Sequence, residues 1–314
     1  MKVVTLAGGV GGGKFLRGLV RMVPPRDVTA VVNTGDDIEM HGLRVCPDLD
    51  SVTYWLGDVF DRERGWGRRD ESFRATEELA RFDPDAAWFG LGDLDLATHL
   101  FRTRLLGAGA TLSAATARVA SRFGVATRIL PMTDDPVQTR IEAASSGREL
   151  DLHFQEYWVR RRGLDTVKDV RFVGADRARP APRVLETIAE ADAIVIGPSN
   201  PVVSIGPILA VPGIREAIAA RRDRAVAVSG IVGGAPLTGM ADRLMPAAGI
   251  EVTAAGVAHH YRELVSAFVL DERDAELIPR IEALGMRAAA LDTVMTGDER
   301  AETVARTALG LVGG

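Results

Sequence analysis

Short apolar runs rich in β-branched residues, separated by helix-length segments, recur along this chain. Six of them occur, at residues 2–6, 28–32, 126–130, 193–196, 225–228 and 267–270. They lack the alternation of a strand with one solvated face, which is typical of parallel strands buried on both faces. Residues 111–123 read as an amphipathic helix closed by Gly124, and residues 298–311 as a terminal helix with Asp298 as its N-cap. The pattern predicts a layered α/β fold.

One segment departs from this pattern. Residues 137–160 alternate in part between polar and apolar, and Ser145, Ser146 and Gly147 lie where a hairpin could turn. We expect a small antiparallel insertion there, followed by the basic stretch 160–162. Residues 137–183 would form a subdomain or lid, and residues 1–136 and 184–314 the nucleotide-binding core.

Charge and cysteine content exclude several classes of protein. The formal net charge of −5 argues against a broad duplex nucleic-acid surface. The single Cys46 permits no internal disulfide, and no apolar run approaches the roughly eighteen residues of a membrane span. We therefore expect a cytoplasmic protein that binds neither nucleic acid nor membrane.

The loop after the first run is glycine-rich. Residues 8–14 read GGVGGGK and match the G-x-x-x-x-G-K pattern, but Phe15 replaces the hydroxyl residue of a P-loop. The G-x-G-x-x-G pattern of dinucleotide-binding proteins is not satisfied either. The interpretation that remains is a turn whose backbone amides hold a phosphate at a helix N-terminus. A tight turn without a ligand is the alternative.

Aspartates form a second group of candidates: Asp36, Asp37, Asp48, Asp50, Asp93 and Asp95. If these loops converge beside a phosphate, the carboxylates require a hard cation between them, and Mg²⁺ is the natural choice. For Asp48 and Asp93 a helix N-cap is an equally good interpretation. His99 and His153 could act as acid or base, although structural roles are commoner. No Ser-His-Asp, H-E-x-x-H or C-x-x-C arrangement supports a hydrolase or a zinc site.

Eight motifs in order along the chain resemble the 2-phospho-L-lactate transferase family of coenzyme F420 biosynthesis. They are GGVGGGKFLRGL, NTGDD, HGLRVCPDLDSV, GDLDLATH, LPMTDDPVQT, HFQEYWV, GPSNPVVSIGPIL and the loop 229–240. The resemblance implies a Rossmann-like fold, a homodimer and magnesium dependence. It also implies transfer of a phospho-three-carbon acid, lactyl or enolpyruvyl, from a guanosine diphosphate ester to the deazaflavin Fo (7,8-didemethyl-8-hydroxy-5-deazariboflavin). The products would be F420-0 or dehydro-F420-0, and GMP.

The same resemblance suggests residue roles. The nucleotide and its phosphates are assigned to Gly9, Val10, Gly11, Gly12, Gly13, Lys14, Asn33, Ser199, Asn200, Pro201 and Ser204. Magnesium is assigned to Asp37 and Asp48, and Asp50 is the candidate for contacting the ribityl hydroxyl or acting as its base. The acceptor pocket is assigned to Asp50, Met132, Thr133 and Asp134, with Trp158 as a further apolar wall. We expect Asp50→Ala to abolish activity with folding intact.

One position departs from the family. Members usually carry a basic residue in the middle of Gly-Asp-x-Asp, whereas this chain has Leu94. Lys14, Arg44 or Arg128 could replace that charge. The alternative functions are a nucleotide-sugar-binding regulator of the related gluconeogenesis-factor-like branch and a plain nucleotide-binding module.

Overall fold

The computed structural model describes residues 1–312, in which a parallel sheet of seven strands forms the centre. Its strands are β1 Val3–Ala7, β2 Val28–Val32, β5 Arg128–Pro131, β9 Ala193–Ile196, β10 Ala225–Val228, β13 Ala267–Asp271 and β14 Arg287–Leu291. Their order in the sheet is β14-β13-β10-β9-β1-β2-β5, parallel throughout. The α/β prediction is thereby confirmed, with β14 as a strand that the sequence pattern missed.

Smaller antiparallel sheets surround the central one. Their strands are β3 Ile38–Met40, β4 Leu43–Val45, β6 Gln138–Ser145, β7 Arg148–His153, β8 Thr166–Val173, β11 Ile231–Val232 and β12 Ala235–Pro236. A three-stranded sheet has the order β7-β6-β8, and two short pairs are β3 with β4 and β11 with β12. The expected hairpin is β6–β7, whose turn places Ser146 and Gly147 at positive φ. Its third strand, β8, was not predicted.

Twelve α-helices lie within the described residues. They are α1 Gly9–Leu19, α2 Pro47–Leu56, α3 Arg74–Phe82, α4 Asp93–Gly107, α5 Leu112–Arg122, α6 Val184–Glu190, α7 Gly206–Ala210, α8 Ile214–Ala219, α9 Ala241–Leu244, α10 Ala254–Tyr261, α11 Ile278–Glu282 and α12 Asp298–Gly310. Thr111 caps α5 by accepting from the amide of Ala114. The prediction that Asp298 caps α12 is wrong: Gly297 is the N-cap, and the Asp298 carboxylate instead accepts from Arg17.

Helices cover both faces of the central sheet because successive side chains of each strand point to opposite sides. Val4 and Leu6 of β1 join one apolar cluster with α6, α8 and α10, whereas Val3 and Ala7 join the other with α1, α2 and α12. Ile141 and Leu152 of the three-stranded sheet belong to the first cluster. The segment 137–183 therefore packs directly onto the core. No helix within residues 1–312 is long and apolar enough to cross a membrane.

Candidate functional site

The strand order reverses between β1 and β9, and ligands of open α/β sheets bind in the crevice at such a point. Gly8 follows β1 and Ser199 follows β9. The Ser199 hydroxyl accepts from the Gly8 amide over 3.1 Å and donates to the Gly8 carbonyl over 2.8 Å. Two loops that the sequence assigned to the nucleotide are thus joined at the crevice.

Helix α1 begins within the glycine loop. Gly8 is extended, and Gly9 enters the helix at a positive φ of 58°. A helix leaves its first amides without internal acceptors. The Gly8 amide donates to Ser199, and the Asp48 carboxylate lies against Gly9, where an added Cβ would be 3.5 Å from Oδ1. The amides of Val10 and Gly11 follow in the same turn and point toward the N-terminal end, where a phosphate would bind.

Glycine at these positions also has a packing reason. A Cβ on Gly11 would overlap the carbonyl oxygen of Pro198, and one on Gly12 would lie 2.8 Å from the Cβ of Ala7. A Cβ on Gly13 would meet the Trp55 ring. The glycines therefore let α1 approach the β9 loop and α2, whether or not a ligand is bound.

Asp48 joins four segments at the crevice. Its carboxylate accepts from the Asn33 side chain over 2.8 Å, and Asn33 also donates to the carbonyl of Val203 over 3.2 Å. A Cβ on Gly8 would lie 2.5 Å from Asp48 Oδ2 and 2.7 Å from the Cβ of Ser204. Burial raises the pKa of Asp48 to about 7. Its position, second in α2 behind the N-cap Cys46, shows that it does not cap its own helix.

Two further buried carboxylates follow β2. Burial raises the pKa of Asp37 to about 6, although Arg44 opposes this shift with a contact of 3.0 Å to Asp37 Oδ2. Burial and then the charge of Asp48 raise the pKa of Asp36 well above its usual value. One oxygen of each, Oδ1, is buried without a hydrogen-bond partner in the described residues. When several buried carboxyl groups ionise close together, the folded protein loses stability unless a cation lies between them.

The donor set fits magnesium, which the sequence assigned to Asp37 and Asp48. Carboxylate oxygens are the ligands Mg²⁺ prefers, and it is usually held by one or two of them together with waters and substrate phosphates. Across residues 1–312, no group of three or more His, Cys, Asp and Glu side chains is arranged to hold a metal by itself. The unpartnered Asp37 oxygen and the Asp48 carboxylate could therefore contribute to a site that substrate completes.

Asp50 is held by an arginine that the sequence reasoning missed. Arg102 of α4 contacts both carboxylate oxygens of Asp50, with Nη1 at 3.1 Å from Oδ2, and the two residues are 1% and 5% exposed. His99 Nδ1 lies 3.6 Å from the same oxygen. Burial lowers the pKa of His99 to about 4, so its ring is neutral. In the sequence, the only indication of this contact was the His-x-x-Arg spacing, which places His99 and Arg102 on one face of α4.

The remaining aspartates and His153 have separate partners. Asp95 accepts from the Tyr54 hydroxyl over 2.6 Å, and burial raises its pKa to about 7. Asp93 accepts from the Ser72 hydroxyl and the Ala75 amide, so it caps α3 and not α4. His153 accepts from the Gln155 amide at Nδ1, and its Nε2–H therefore donates to the carbonyl of Asp37 over 3.2 Å. This histidine fixes the loop that carries Asp37.

The proposed acceptor residues divide into buried and cavity-lining ones. Met132 is fully buried, and the Thr133 hydroxyl donates to the carbonyl of Arg179 over 2.6 Å. Asp134 lines a cavity of about 740 Å³ beside β5, together with Arg44. That volume suits an organic ligand. The cavity lies apart from the β1/β9 crevice, but Arg44 borders it and contacts Asp37.

Four other predicted residues have roles of their own in the structure. Lys14 lies 5.9 Å from the centre of the Trp55 ring, where burial lowers its pKa. Asn200 accepts from the amides of Val202 and Val203 and so caps a π-helical turn, Pro201–Ile205, in which Pro201 is buried. Trp158 is 39% exposed on the π-helical turn Glu156–Arg160.

Comparison with known proteins agrees with the motifs. Residues 3–308 match the family model described as 2-phospho-L-lactate transferase CofD. A phosphoenolpyruvate transferase of Streptomyces griseus is 50% identical over 312 residues, which cover 99% of this chain and 98% of that protein. A 2-phospho-L-lactate transferase of Methanosarcina barkeri is 41% identical over 309 residues, covering 98% of each.

A solved structure shares the fold. The crystal structure of a UPF0052 family protein from Bacillus halodurans superimposes with a TM-score of 0.66 at 19% identity, covering 98% of each chain. At that identity the likeness concerns the fold alone. The match to the family model across almost the whole chain, and relatives at 41–51% identity, carry the assignment. The chain belongs to the 2-phospho-L-lactate transferase CofD family of transferases.

Proposed function

We propose that this transferase moves a phospho-three-carbon acid from a guanosine diphosphate ester to the terminal ribityl hydroxyl of the deazaflavin Fo. The observation that carries the proposal is the junction of Gly8, Asp48 and Ser199 at the point where the strand order reverses. Helix amides and buried acids meet there, as a phosphate with its counter-ion requires. We infer that the protein acts as a homodimer.

The reaction exchanges one phosphorus–oxygen bond for another. The hydroxyl oxygen of the acceptor attacks the phosphorus that bears the acid, and the bond from that phosphorus to the GMP phosphate breaks. The hydroxyl proton leaves during the attack, and GMP departs with the electron pair of the broken bond. Such transfers depend mainly on positioning and on neutralising charge.

Each group of residues would contribute one part. The guanosine diphosphate portion is bound by the backbone amides of residues 9–13. The side chains or backbone of further residues complete this part of the site: Lys14, Asn33, Ser199, Asn200, Pro201 and Ser204. Asp37 and Asp48 hold Mg²⁺, which supplies positive charge to the phosphates. Asp50 receives the acceptor hydroxyl: Arg102 occupies part of its carboxylate, and the remaining lone pairs can accept the proton. Asp134, which follows Met132 and Thr133 in the chain, lines the space proposed for the acceptor.

The acid carried by the donor is proposed to be enolpyruvyl. Relatives named phosphoenolpyruvate transferase are 44–51% identical to this chain, whereas those named 2-phospho-L-lactate transferase are 41% identical. The two acids differ at one carbon–carbon bond, a difference that few pocket atoms sense.

Mass spectrometry of the product tests both the proposed transfer to Fo and the proposed identity of the donor acid. Purified protein, Mg²⁺ and Fo are incubated with the enolpyruvyl or the lactyl ester of guanosine diphosphate in turn. We expect dehydro-F420-0 and GMP to form fastest with the enolpyruvyl ester. Faster formation of F420-0 would reverse the donor choice. Without either product, and without a change in Fo fluorescence on adding protein, the transferase proposal fails and a nucleotide-binding regulator becomes the better interpretation.

A further inference from the structure

Arg44 of β4 lies where the carboxylates after β2 meet the cavity beside β5. Its Nη2 donates to Asp37 Oδ2 over 3.0 Å, and its side chain, which is 31% exposed, also lines the cavity that contains Asp134. Its backbone carbonyl accepts from Arg102 Nη1 over 3.3 Å, and the same nitrogen contacts Asp50. Arg44 therefore borders all three parts of the proposed site: the metal, the acceptor hydroxyl and the acceptor cavity.

The backbone of Arg44 is fixed by a strand and by a helix. Strand β4 pairs with β3 in antiparallel register, and the Arg44 amide donates to the Thr103 hydroxyl over 2.8 Å. Thr103 follows Arg102 on α4, so one helix holds both the amide and the carbonyl of Arg44. The contact with Asp37 orders the side chain as well. A guanidinium held in this way loses little conformational freedom when it binds an anion.

The guanidinium of Arg44 has donors left after its contact with Asp37. It carries five N–H groups, and the only other side chain it approaches closely is the thiol of Cys46, a weak acceptor. Within residues 1–312, Asp37 is the one carboxylate at ion-pair distance, because the cross-strand neighbour Glu39 lies farther away. Most of the donors are therefore left for a ligand.

The other charged groups of the cavity have partners of their own. Arg179 Nε lies 3.7 Å from Asp135 Oδ2, and the Arg179 amide donates to the same oxygen over 2.8 Å. Asp134 accepts from the amide of Ser113, in the first turn of α5, over 2.6 Å. The Arg179 side chain is 88% exposed and belongs to the solvent side of the cavity. Arg44 belongs to its inner side, next to Asp37.

We propose that Arg44 is a specificity-determining residue that binds the carboxylate of the three-carbon acid on the donor. In the reaction, the phosphorus that bears the acid lies between the metal at Asp37 and the acceptor hydroxyl at Asp50. A single oxygen joins the acid to that phosphorus, so the carboxylate lies close to the same point. A guanidinium binds a carboxylate through two parallel N–H···O bonds. The inference rests on the proposed function, since the ester is the ligand.

Two esters that differ only in the carboxylate test the inference. In the isopropyl ester of guanosine diphosphate, a methyl group replaces the carboxylate of the lactyl ester. Both are titrated by calorimetry, with Mg²⁺ and without Fo, against wild type, Arg44→Met, Arg44→Lys and the control Arg128→Met. Arg128 is also half-buried, but it begins β5 and so removes one positive charge at the edge of the sheet opposite the site.

The ratio of the two Kd values is the decisive quantity, because an effect on Asp37 or on Mg²⁺ applies to both esters and cancels. We expect wild type and Arg128→Met to bind the lactyl ester about tenfold more tightly than the isopropyl ester. Arg44→Met should bring the ratio to about one, and Arg44→Lys to about three, because an ammonium keeps the charge but not the paired donors. If Arg44→Met does not fold, Arg44→Gln serves in its place.

A wild type without preference for the lactyl ester, or a preference that Arg44→Met retains, would overturn the role of Arg44. Equal losses for both esters would do the same, because they would indicate a contact with the phosphates or with Asp37 alone. These results leave the proposed function standing if wild type still converts Fo to product. Conversely, an absence of turnover by wild type would count against the proposed function whatever the ratio is.

Discussion

Asp50 and Arg102 are opposite charges enclosed together by the protein. Removing one partner of such a pair leaves the other charge buried and costs about 3 kcal/mol or more. Arg102 is 1% exposed, so Asp50→Ala would leave the Arg102 charge buried without a partner. The structure therefore changes the expectation that Asp50→Ala leaves folding intact, and activity lost in that variant alone would not identify a catalytic role.

A double variant separates the two effects. We expect Asp50→Asn to lower the free energy of unfolding by about 2 kcal/mol or more, and Asp50→Asn/Arg102→Gln to recover most of that loss because no charge remains buried. If Asp50 receives the acceptor proton, the double variant should still have kcat reduced by about a hundredfold or more. Denaturant unfolding and product formation measure the two quantities. A folded double variant with near-normal kcat would remove Asp50 from the reaction.

The buried acids Asp37 and Asp48 make stability depend on pH. A carboxyl group whose pKa is raised by folding binds its proton more tightly in the folded state. Its contribution is thus fully present below its ordinary pKa and is lost as pH rises through about 6 for Asp37 and about 7 for Asp48. Without metal, we expect the Tm to fall between about pH 4 and pH 7 more steeply in wild type than in Asp48→Asn.

Magnesium should reverse this loss. At about pH 8 it should raise the Tm of wild type, because a ligand that binds only the folded state stabilises it, and at about pH 5 it should have little effect. Asp48→Asn is the matched control and should respond weakly at both values. Equal responses of wild type and variant at high pH would place magnesium elsewhere.

At the scale of elements, the packing of α1 against the β9 loop depends on glycine. We expect Gly11→Val to lower the free energy of unfolding by about 1–3 kcal/mol even without nucleotide, because its side chain would overlap the Pro198 carbonyl. Gly107→Ala, at the open end of α4, should be neutral or slightly stabilising. Unfolding of both variants in urea checks this. If Gly11→Val lost nucleotide affinity alone, with stability unchanged, glycine would be required there for phosphate approach only.

The pattern of elements was predictable where burial alone determined it. Residues 28–32, 193–196 and 225–228 were identified with the bounds that the structure shows, since a strand covered on both faces must be apolar throughout. Strand β14 was missed because it is an edge strand of small, partly exposed residues. Strand β8 was missed because Lys168, Asp169 and Arg171 give it the composition of a surface loop.

At the scale of the whole molecule, the order of the strands creates the site. Gly8 and Ser199 are separated by 191 positions in the chain, yet they share two hydrogen bonds because β1 and β9 are neighbours in the sheet. The same arrangement brings α2 beside α1, so that the Asp48 carboxylate lies against Gly8 and Gly9. The crevice is thus a product of topology that no single motif contains.

The sequence by itself determined the α/β class, the loops that follow the strands and the family. Strand burial and turn-forming residues are local properties, and the motifs lie in order along the chain. Only the tertiary structure decided which charges meet: that Arg102 holds Asp50 and that Arg44 contacts Asp37. Such pairings depend on distances between residues remote in sequence and on burial, and neither quantity can be read from composition or spacing.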